Sequence, residues 1–284
     1  MADATLPAAR PAGLPAGRRR GFSVRHMPGF TAVAIAAFVA LYAPLLVLVV
    51  YSFNSGTSIA IWESTSLRWY VSAWNNTLVQ DVTVRSLVIA AVATVVSTTV
   101  ATMAALATTR TRPYRGLTFI TAMINQPLMV PEIVTGTALL IFFALIKIAT
   151  GYMGLGYLFL AHSAFCVPFA YMPIKARLDA MDRTLELAAA DLYADPWRAF
   201  RRVTLPLLAP GILAGAMLAF VISLDDVVIT ELVKSAGQDT LPTYMLGQMR
   251  RIITPELYAI ATAFFLFSVA IVTLFFLVSR RRTD

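Results

Sequence analysis

The sequence predicts an all-α membrane protein that crosses a lipid bilayer about six times. Of its 284 residues, 58% are hydrophobic and only 13% are charged. A soluble domain is apolar in about half of its residues and charged in about a quarter. The hydrophobic residues also come in long blocks, and about 20 consecutive apolar residues span a bilayer as a helix. These two observations disfavour a soluble enzyme.

Six apolar blocks are candidate spans, and together they predict a transmembrane domain over residues 29–284. The first, Phe30–Phe53, has no charged residue and no small-residue cleavage site behind it, so it is expected to be an uncleaved span rather than a signal peptide. Residues 1–28, rich in Ala, Pro, Gly and Arg, are expected to form a disordered basic cytoplasmic tail. The other spans are expected near 86–108, 117–146, 152–173, 207–224 and 257–279.

The positions of Lys and Arg predict the orientation. Cytoplasmic loops carry an excess of both residues. With the N-terminus in the cytoplasm, that side holds most of the 23 basic residues, namely Arg10, Arg18, Arg19, Arg20, Arg25, Arg110, Arg112, Arg115, Lys175, Arg177, Arg183, Arg198, Arg201, Arg202, Arg280, Arg281 and Arg282. Both termini are therefore expected to be cytoplasmic. The net charge of +8 is explained by this topology and by contact with anionic lipid, without a nucleic acid.

The sequence offers no catalytic residue and no metal site. Cys166 is the single cysteine, and His26 and His162 lack the spacing of metal ligands. His162 is interpreted as a packed or cavity-facing membrane histidine. No nucleophile–base signature, Walker loop or glycine-rich nucleotide loop occurs in the sequence. We therefore expect no cofactor to be bound by this chain.

An amphipathic segment over residues 179–206 separates the fourth and fifth spans. Asp182 or Thr184 can cap a helix that runs to about Ala194. Asp195-Pro196 is typical of the start of a second helix, which Leu205-Pro206 is expected to end. The residues alone leave two interpretations open: a hairpin lying on the bilayer with its arginines on lipid phosphates, or a docking element for a soluble partner.

Carboxylates inside predicted spans indicate a polar path, because a charge in hydrocarbon costs a few kcal/mol. Glu132 follows Asn125-Gln126-Pro127 and Pro131, a pattern that predicts a broken helix lining a cavity. Asp225 and Asp226 end the fifth block, about 27 Å from its inner edge. Adjacent carboxylates repel each other, so a cation is expected nearby. It could be a cationic substrate at a gate, or Lys234 or Arg251 in an internal ion pair.

Two aromatic residues of the fourth block, Tyr157 and Phe169, are further candidates for the substrate pathway. Their rings could make cation–π contacts with a passing amine. Packing between helices is the alternative interpretation.

The segment after the fourth span resembles the EAA loop of the membrane subunits of binding-protein-dependent ABC importers. The resemblance rests on Ala188-Ala189, Asp191-Leu192, Ala194 and Val203-Thr204-Leu205-Pro206. Leu187 stands at the motif's Glu position, with Glu186 one place earlier, and Tyr193 stands at its Gly position. Because Tyr is unsuited to a positive φ, the bend is expected at Asp195-Pro196 instead.

Other segments are similar to the second permease subunit of spermidine/putrescine importers. They are Pro131-Glu132-Ile133-Val134, Ser223-Leu224-Asp225-Asp226-Val227-Val228, Leu241-Pro242 and Thr254-Pro255-Glu256. The resemblance implies the permease fold of type I ABC importers in a bacterial inner membrane. It also implies a second permease subunit, two cytosolic ATPases that bind ATP and Mg, and an external solute-binding protein.

The expected function is import of a small cationic solute, a polyamine, by alternating access, with no covalent chemistry on this chain. The residues expected to couple to the ATPase are Glu186, Ala188, Ala189, Asp191, Leu192, Tyr193, Ala194, Leu205 and Pro206. The residues expected on the substrate pathway are Glu132, Asp225, Asp226, Tyr157 and Phe169. One alternative is the same machine carrying an amino-acid derivative or an opine-like solute. Another is a channel or ion-coupled carrier, for which internal repeats would be expected.

Overall fold

The computed structural model describes residues 29–58, 61–112, 114–251 and 253–280, and the tail predicted over residues 1–28 lies outside them. The described chain is helical, with one isolated antiparallel bridge between Asn54 and Thr65. The helices are α1 Phe30–Tyr51, α2 Arg68–Asn75, α3 Thr77–Thr109, α4 Leu117–Met129, α5 Glu132–Thr150, α6 Gly156–Ala180, α7 Thr184–Asp191, α8 Pro196–Ala199, α9 Leu205–Asp225, α10 Val228–Val233, α11 Leu241–Met249 and α12 Pro255–Arg280.

Six helices of the described chain are long and apolar enough to cross a membrane, which confirms the predicted fold class. They are Phe30–Tyr51, Thr77–Thr109, Glu132–Thr150, Gly156–Ala180, Pro196–Asp225 and Pro255–Leu277. Helix α1 divides at Val47: its residues up to Val47 belong to one unit of the chain. Residues from Leu48 onward belong to a second unit, which carries every feature described below.

Helices α3, α6 and α9 form the centre of the second unit. Their contacts are made by small side chains, and Ala101 of α3, Ala170 of α6 and Ala219 of α9 are fully buried. A Cβ atom added at Gly215 would lie 2.7 Å from the backbone oxygen of Ala170. Small residues let helix backbones approach closely, which is how membrane helices pack without a hydrophobic driving force.

The third apolar block forms two helices rather than one span. Helix α4 ends at Met129 and α5 begins at Glu132, with Val130 extended between them at φ −94° and ψ 136°. Pro131 causes the break, since a proline disfavours helix in the residue before it and has no N–H to donate. The broken helix predicted from the Asn125–Pro131 pattern is present, and Glu132 is the first residue after the break.

Helix α3 begins at Thr77, before the apolar block that predicted the second span. Asn76 fixes this start, because its side-chain oxygen accepts hydrogen bonds from the N–H groups of Leu78 and Val79 at 3.1 and 3.4 Å. The first turns carry polar residues such as Gln80 and Asp81, which hydropathy alone places outside the span. The capping residue, and not the start of the apolar block, therefore determines where α3 begins.

The expectation that Leu205-Pro206 ends a helix is wrong. Helix α8 continues through a π turn, Phe200–Thr204, directly into α9. In this turn the N–H of Leu205 bonds to the carbonyl of Phe200, five residues back. A π turn widens the helix locally and so accommodates Pro206, whose ring would otherwise crowd the preceding turn.

Candidate functional site

Asp226 lies at the break between α9 and α10, and its side chain is buried. Its carboxylate accepts hydrogen bonds from the N–H of Ile229 at 3.2 Å, the N–H of Thr230 at 2.8 Å and the hydroxyl of Thr230 at 2.7 Å. These bonds satisfy donors at the start of α10, which have no partner within the helix. Asp226 therefore fixes where α10 starts relative to α9.

His162 of α6 contacts the residues around Asp226. Its Nδ1 lies 2.8 Å from the hydroxyl of Ser223, and its Nε2 lies 3.0 Å from the hydroxyl of Thr230. Nε2 is also 3.5 Å from the Asp226 carboxylate. His162 is thus a packed, fully hydrogen-bonded histidine. The sequence predicted a packed or cavity-facing histidine here, and His162 is packed; its contact with Asp226 was not predicted.

Glu132 brings a second carboxyl group to the cluster. It is half-buried at the start of α5, and its carboxyl group lies close enough to that of Asp226 for the two to interact. Asp225, in contrast, is exposed. The structure therefore brings together Glu132 at the start of α5, Asp226 at the break between α9 and α10, and His162 within α6. We call these three residues the acidic cluster.

The acidic cluster is not neutralised by a Lys or Arg side chain of the described residues. Lys234, a candidate partner, instead contacts Glu231 and Asp239, with its Nζ 2.6 Å from a carboxylate oxygen of each. Burial lowers the pKa of Lys234, but the bonds to Asp239 and Glu231 outweigh it and leave this pKa above its ordinary value. The other candidate, Arg251, is exposed and forms no ion pair with a described carboxylate. The two carboxyl groups of the cluster thus lack a Lys or Arg partner among the described residues.

Tyr157 and Phe169 lie elsewhere on α6, in aromatic packing. The Tyr157 ring is 5.0 Å from that of Phe143, and its hydroxyl donates to the carbonyl of Tyr152 at 3.0 Å. The Phe169 ring is 5.4 Å from that of Phe165. These contacts account for both side chains by packing, and their contact with a passing amine stays a prediction.

The loop between α6 and α9 presents apolar side chains to the surroundings. Leu192 is 82% exposed and Tyr193 is 96% exposed, and Leu187 and Trp197 are also exposed. Asp182 accepts a hydrogen bond from the N–H of Thr184 at 2.9 Å, and this bond holds the pKa of Asp182 below its ordinary value. The α7 helix is therefore capped and formed, while its outer face has no partner within the described chain. Exposed apolar patches of this kind mark interaction surfaces.

Tyr193 adopts φ +59°, so the expectation that Tyr at this position avoids a positive φ is wrong. The bend comes from Tyr193, while Asp195 caps α8 by accepting from the N–H of Arg198 at 2.9 Å. The N–H of Tyr193 bonds to the carbonyl of Ala190, and that of Ala194 to the carbonyl of Ala189. This is a Schellman motif, which requires a left-handed residue after the helix. The hydrogen bonds hold a conformation that Tyr alone disfavours.

We expect Tyr193→Gly to stabilise the chain, because glycine adopts a positive φ without steric cost. The expected gain is about 1 kcal/mol, measured as a higher thermal unfolding midpoint of the purified protein in detergent. Tyr193→Ala is the matched control, since it removes the same exposed ring and keeps the strained φ. An equal rise for both variants would show that the exposed ring, rather than the backbone, limits stability.

Glu186 makes the ionic contact that its displaced position in the sequence left open. Its carboxylate lies 3.1 Å from Nε of Arg110, the residue that follows α3, and it accepts from the hydroxyl of Thr204 at 3.1 Å. Neither Arg110 nor Thr204 was among the functional candidates predicted from the sequence. Arg110 directly follows a predicted span, and Thr204 belongs to the EAA-like segment that precedes another.

The acidic cluster and the loop that contains α7 and α8 both lie within a part of the chain that matches a known family. Residues 97–284 match the model of the family described as binding-protein-dependent transport system inner membrane component. The chain belongs to this family. The matched range includes the acidic cluster and the α7–α8 loop, so the resemblance inferred from the EAA-like segment is confirmed.

Curated relatives agree with this assignment. The permease is 37% identical over 238 residues to the putrescine transport system permease protein PotI of Escherichia coli strain K12, which covers 83% of this chain and 85% of the relative. It is 33% identical over 250 residues to the spermidine/putrescine transport system permease protein PotC of Haemophilus influenzae, covering 88% and 96%. It is 32% identical to PotC of Escherichia coli strain K12 over 248 residues, covering 87% and 92%.

Two solved structures share the fold of the permease. One is a bacterial ABC transporter involved in the import of alginate, with a TM-score of 0.66, 13% identity, and 88% of this chain and 94% of that chain covered. The other is the MetNI methionine ABC transporter, with a TM-score of 0.58, 16% identity, and 70% and 94% covered. The predicted fold of ABC importer permeases is confirmed.

The family also settles the class of function. The permease is a transport subunit of a binding-protein-dependent ABC importer and not an enzyme. Importers of this class work with a solute-binding protein and an ATPase, so both kinds of partner follow from the family. The interpretation as a channel or an ion-coupled carrier is not supported.

Proposed function

We propose that the permease moves a polyamine, putrescine or spermidine, into the cytoplasm by alternating access. The observation that carries this proposal is the acidic cluster, in which two carboxyl groups meet without a Lys or Arg partner among the described residues. The names of the relatives, which transport putrescine and spermidine, support the same solute class.

The charge of the acidic cluster suits a cation with more than one ammonium group. Carboxylates inside a membrane protein face a bundle interior or a water-filled cavity and mark ion pathways. An ammonium group near Glu132 and Asp226 would relieve their mutual repulsion. The two residues follow separate helix breaks, so a bound cation would draw the start of α5 towards the α9–α10 junction. Release of the cation would let these segments separate, which is the kind of change that alternating access needs.

The exposed face of α7 and the following turn supplies the docking surface for the ATPase in this proposal. Leu192, Tyr193 and Trp197 provide apolar area, and aromatic anchors are enriched in interface hot spots. Glu186 points instead towards Arg110 of its own chain. The α7–α8 loop and the end of α3 thus lie on one side of the bundle. That side is cytoplasmic in the proposed orientation, with both termini inside.

The proposed assembly follows from the resemblance to spermidine/putrescine importers. This permease pairs with a second permease subunit, and the pair binds two ATPases that hold ATP and Mg. A solute-binding protein delivers the polyamine at the outer face of the bacterial inner membrane. This chain binds no cofactor itself.

The test is ATP-dependent uptake of labelled putrescine and spermidine by proteoliposomes that contain the complete importer. We expect uptake that needs ATP, the solute-binding protein and this permease. ATP hydrolysis without uptake of either polyamine would overturn the proposal that the substrate is a polyamine. The assignment to an ATP-driven importer would stand. In that case, ligands screened against the solute-binding protein would include amino-acid derivatives and opine-like compounds.

A further inference from the structure

Glu186 contacts two other elements of the chain besides its own helix. One carboxylate oxygen lies 3.1 Å from Nε of Arg110, which follows the last residue of α3. The other lies 3.2 Å from the same nitrogen and accepts from the hydroxyl of Thr204 at 3.1 Å. Thr204 directly precedes α9 and is buried. One carboxylate of α7 thus joins the cytoplasmic ends of α3 and α9.

This contact is unlike an ordinary surface ion pair. The side chains of Arg110 and Glu186 are only 15% and 24% exposed. Exposed pairs contribute little because solvent screens them and their side chains must be ordered. A partly buried charge depends more strongly on its partner. Nη2 of Arg110 is buried and has no hydrogen-bond partner within the described chain. Arg110 therefore relies on Glu186.

A second contact ties α7 to the same helix end. The guanidinium group of Arg183, next to the first residue of α7, donates to the backbone carbonyl of Thr109. Thr109 is the last residue of α3, where carbonyl groups lack partners within the helix and attract a positive charge. Both ends of the first turn of α7 are therefore held against α3.

We propose that Glu186, Arg110 and Thr204 form a tether that transmits movement of α7 to α3 and α9. The inference rests on the proposed function and adds a positioning role to it. Exposed Leu192 and Tyr193 receive the force from the ATPase, and the tether passes it to the bundle. Helix α9 carries it to Asp226, about 30 Å away at 1.5 Å per residue. In this chain Glu186 acts within the permease and not on the ATPase.

The tether is tested by a double-mutant cycle with Glu186→Gln, Arg110→Gln and both changes together. The complete importer is reconstituted with labelled putrescine, and uptake is divided by ATP hydrolysed. We expect each single change to lower this ratio about fivefold. The double variant should also lose about fivefold, rather than about 25-fold, because residues that act as one pair are not additive. Thr204→Val should lower the ratio while leaving the Glu186–Arg110 pair intact.

Arg112→Gln is the matched control, because Arg112 is exposed two residues after Arg110 and loses the same charge. The Arg112→Gln variant should have the same ratio of uptake to ATP hydrolysed as the unchanged protein. A 25-fold loss in the double variant would overturn the tether, since the two residues would then act independently. Normal coupling in the Arg110→Gln variant with a loss only in Glu186→Gln would also overturn it, and would place Glu186 on the ATPase.

A second readout separates this inference from the choice of substrate. Spin labels at Arg112 and Ala190, both exposed, report the distance between the end of α3 and α7. With the tether intact, we expect one narrow distance distribution both without nucleotide and with ATP and vanadate. Glu186→Gln should broaden it. If the unchanged importer hydrolyses ATP but takes up no polyamine, the proposed substrate is wrong. The spin-label distances still test the tether in that case.

Discussion

Replacement of Asp226 by Asn is expected to reduce polyamine uptake at least 30-fold without loss of the assembled importer. Removing one charge of a buried charged contact costs about 2–5 kcal/mol, and about 1.4 kcal/mol corresponds to tenfold. The Asn side chain keeps one oxygen that can accept from the N–H of Thr230, so α10 keeps one of the two backbone bonds that cap it. The change thus removes the charge and keeps part of the cap. Initial uptake rates and the yield of purified complex measure both effects.

Glu231→Gln is the matched control for Asp226→Asn. Glu231 lies on α10, the short helix that Asp226 caps, and its carboxylate contacts Lys234, which keeps Asp239 as a partner. We expect uptake within about twofold of the unchanged importer, as for most surface substitutions. Normal uptake by Asp226→Asn would instead mean that Asp226 serves only as a helix cap. The cation site would then have to lie away from the acidic cluster.

Leu192→Arg is expected to weaken association with the ATPase about 30-fold or more. Leu192 is 82% exposed, so the substitution leaves the fold of the permease itself unchanged. Hot-spot residues of an interface contribute about 2 kcal/mol or more, which corresponds to about 30-fold in affinity. Co-purification of the ATPase with the tagged permease measures the loss. The result also tests the orientation, because a cytosolic ATPase reaches only the cytoplasmic side.

Tyr114→Arg is the control for Leu192→Arg. Tyr114 is a 40% exposed aromatic residue between α3 and α4, on the same proposed side of the membrane but outside the docking surface. It should leave co-purification unchanged. Retention of the ATPase by Leu192→Arg would favour the other interpretation of this segment, a hairpin that lies on the bilayer surface.

The predictions from hydrophobicity needed no knowledge of the fold. Apolar blocks identify membrane helices because each spanning segment must satisfy its own backbone hydrogen bonds in lipid. Local chemistry was equally direct at Pro131, which breaks the third block, and at Asp195, which caps α8. Boundaries were less accurate where a cap outside the apolar block decided them, as at Asn76.

The local rules failed where neighbouring structure outweighed a residue's own preference. Tyr193 adopts a left-handed conformation because two backbone hydrogen bonds close the end of α7 around it. Pro206 continues a helix because the π turn before it makes room for the ring. In both cases the identity of the residue predicted the opposite outcome. The conformational preference of each residue was smaller than the free energy of the contacts that surround it.

The residue pattern alone was enough to determine the class of this protein: a polytopic helical permease with acidic residues in its spans and an amphipathic loop between the fourth and fifth spans. Tertiary structure alone decided which of these residues meet. His162 lies 61 residues before Ser223, and Arg110 lies 76 residues before Glu186, yet both pairs are in contact. Hydropathy and capping act between neighbours in the chain. Contacts at such separations depend on how α3, α6 and α9 pack through their small side chains, which no local pattern specifies.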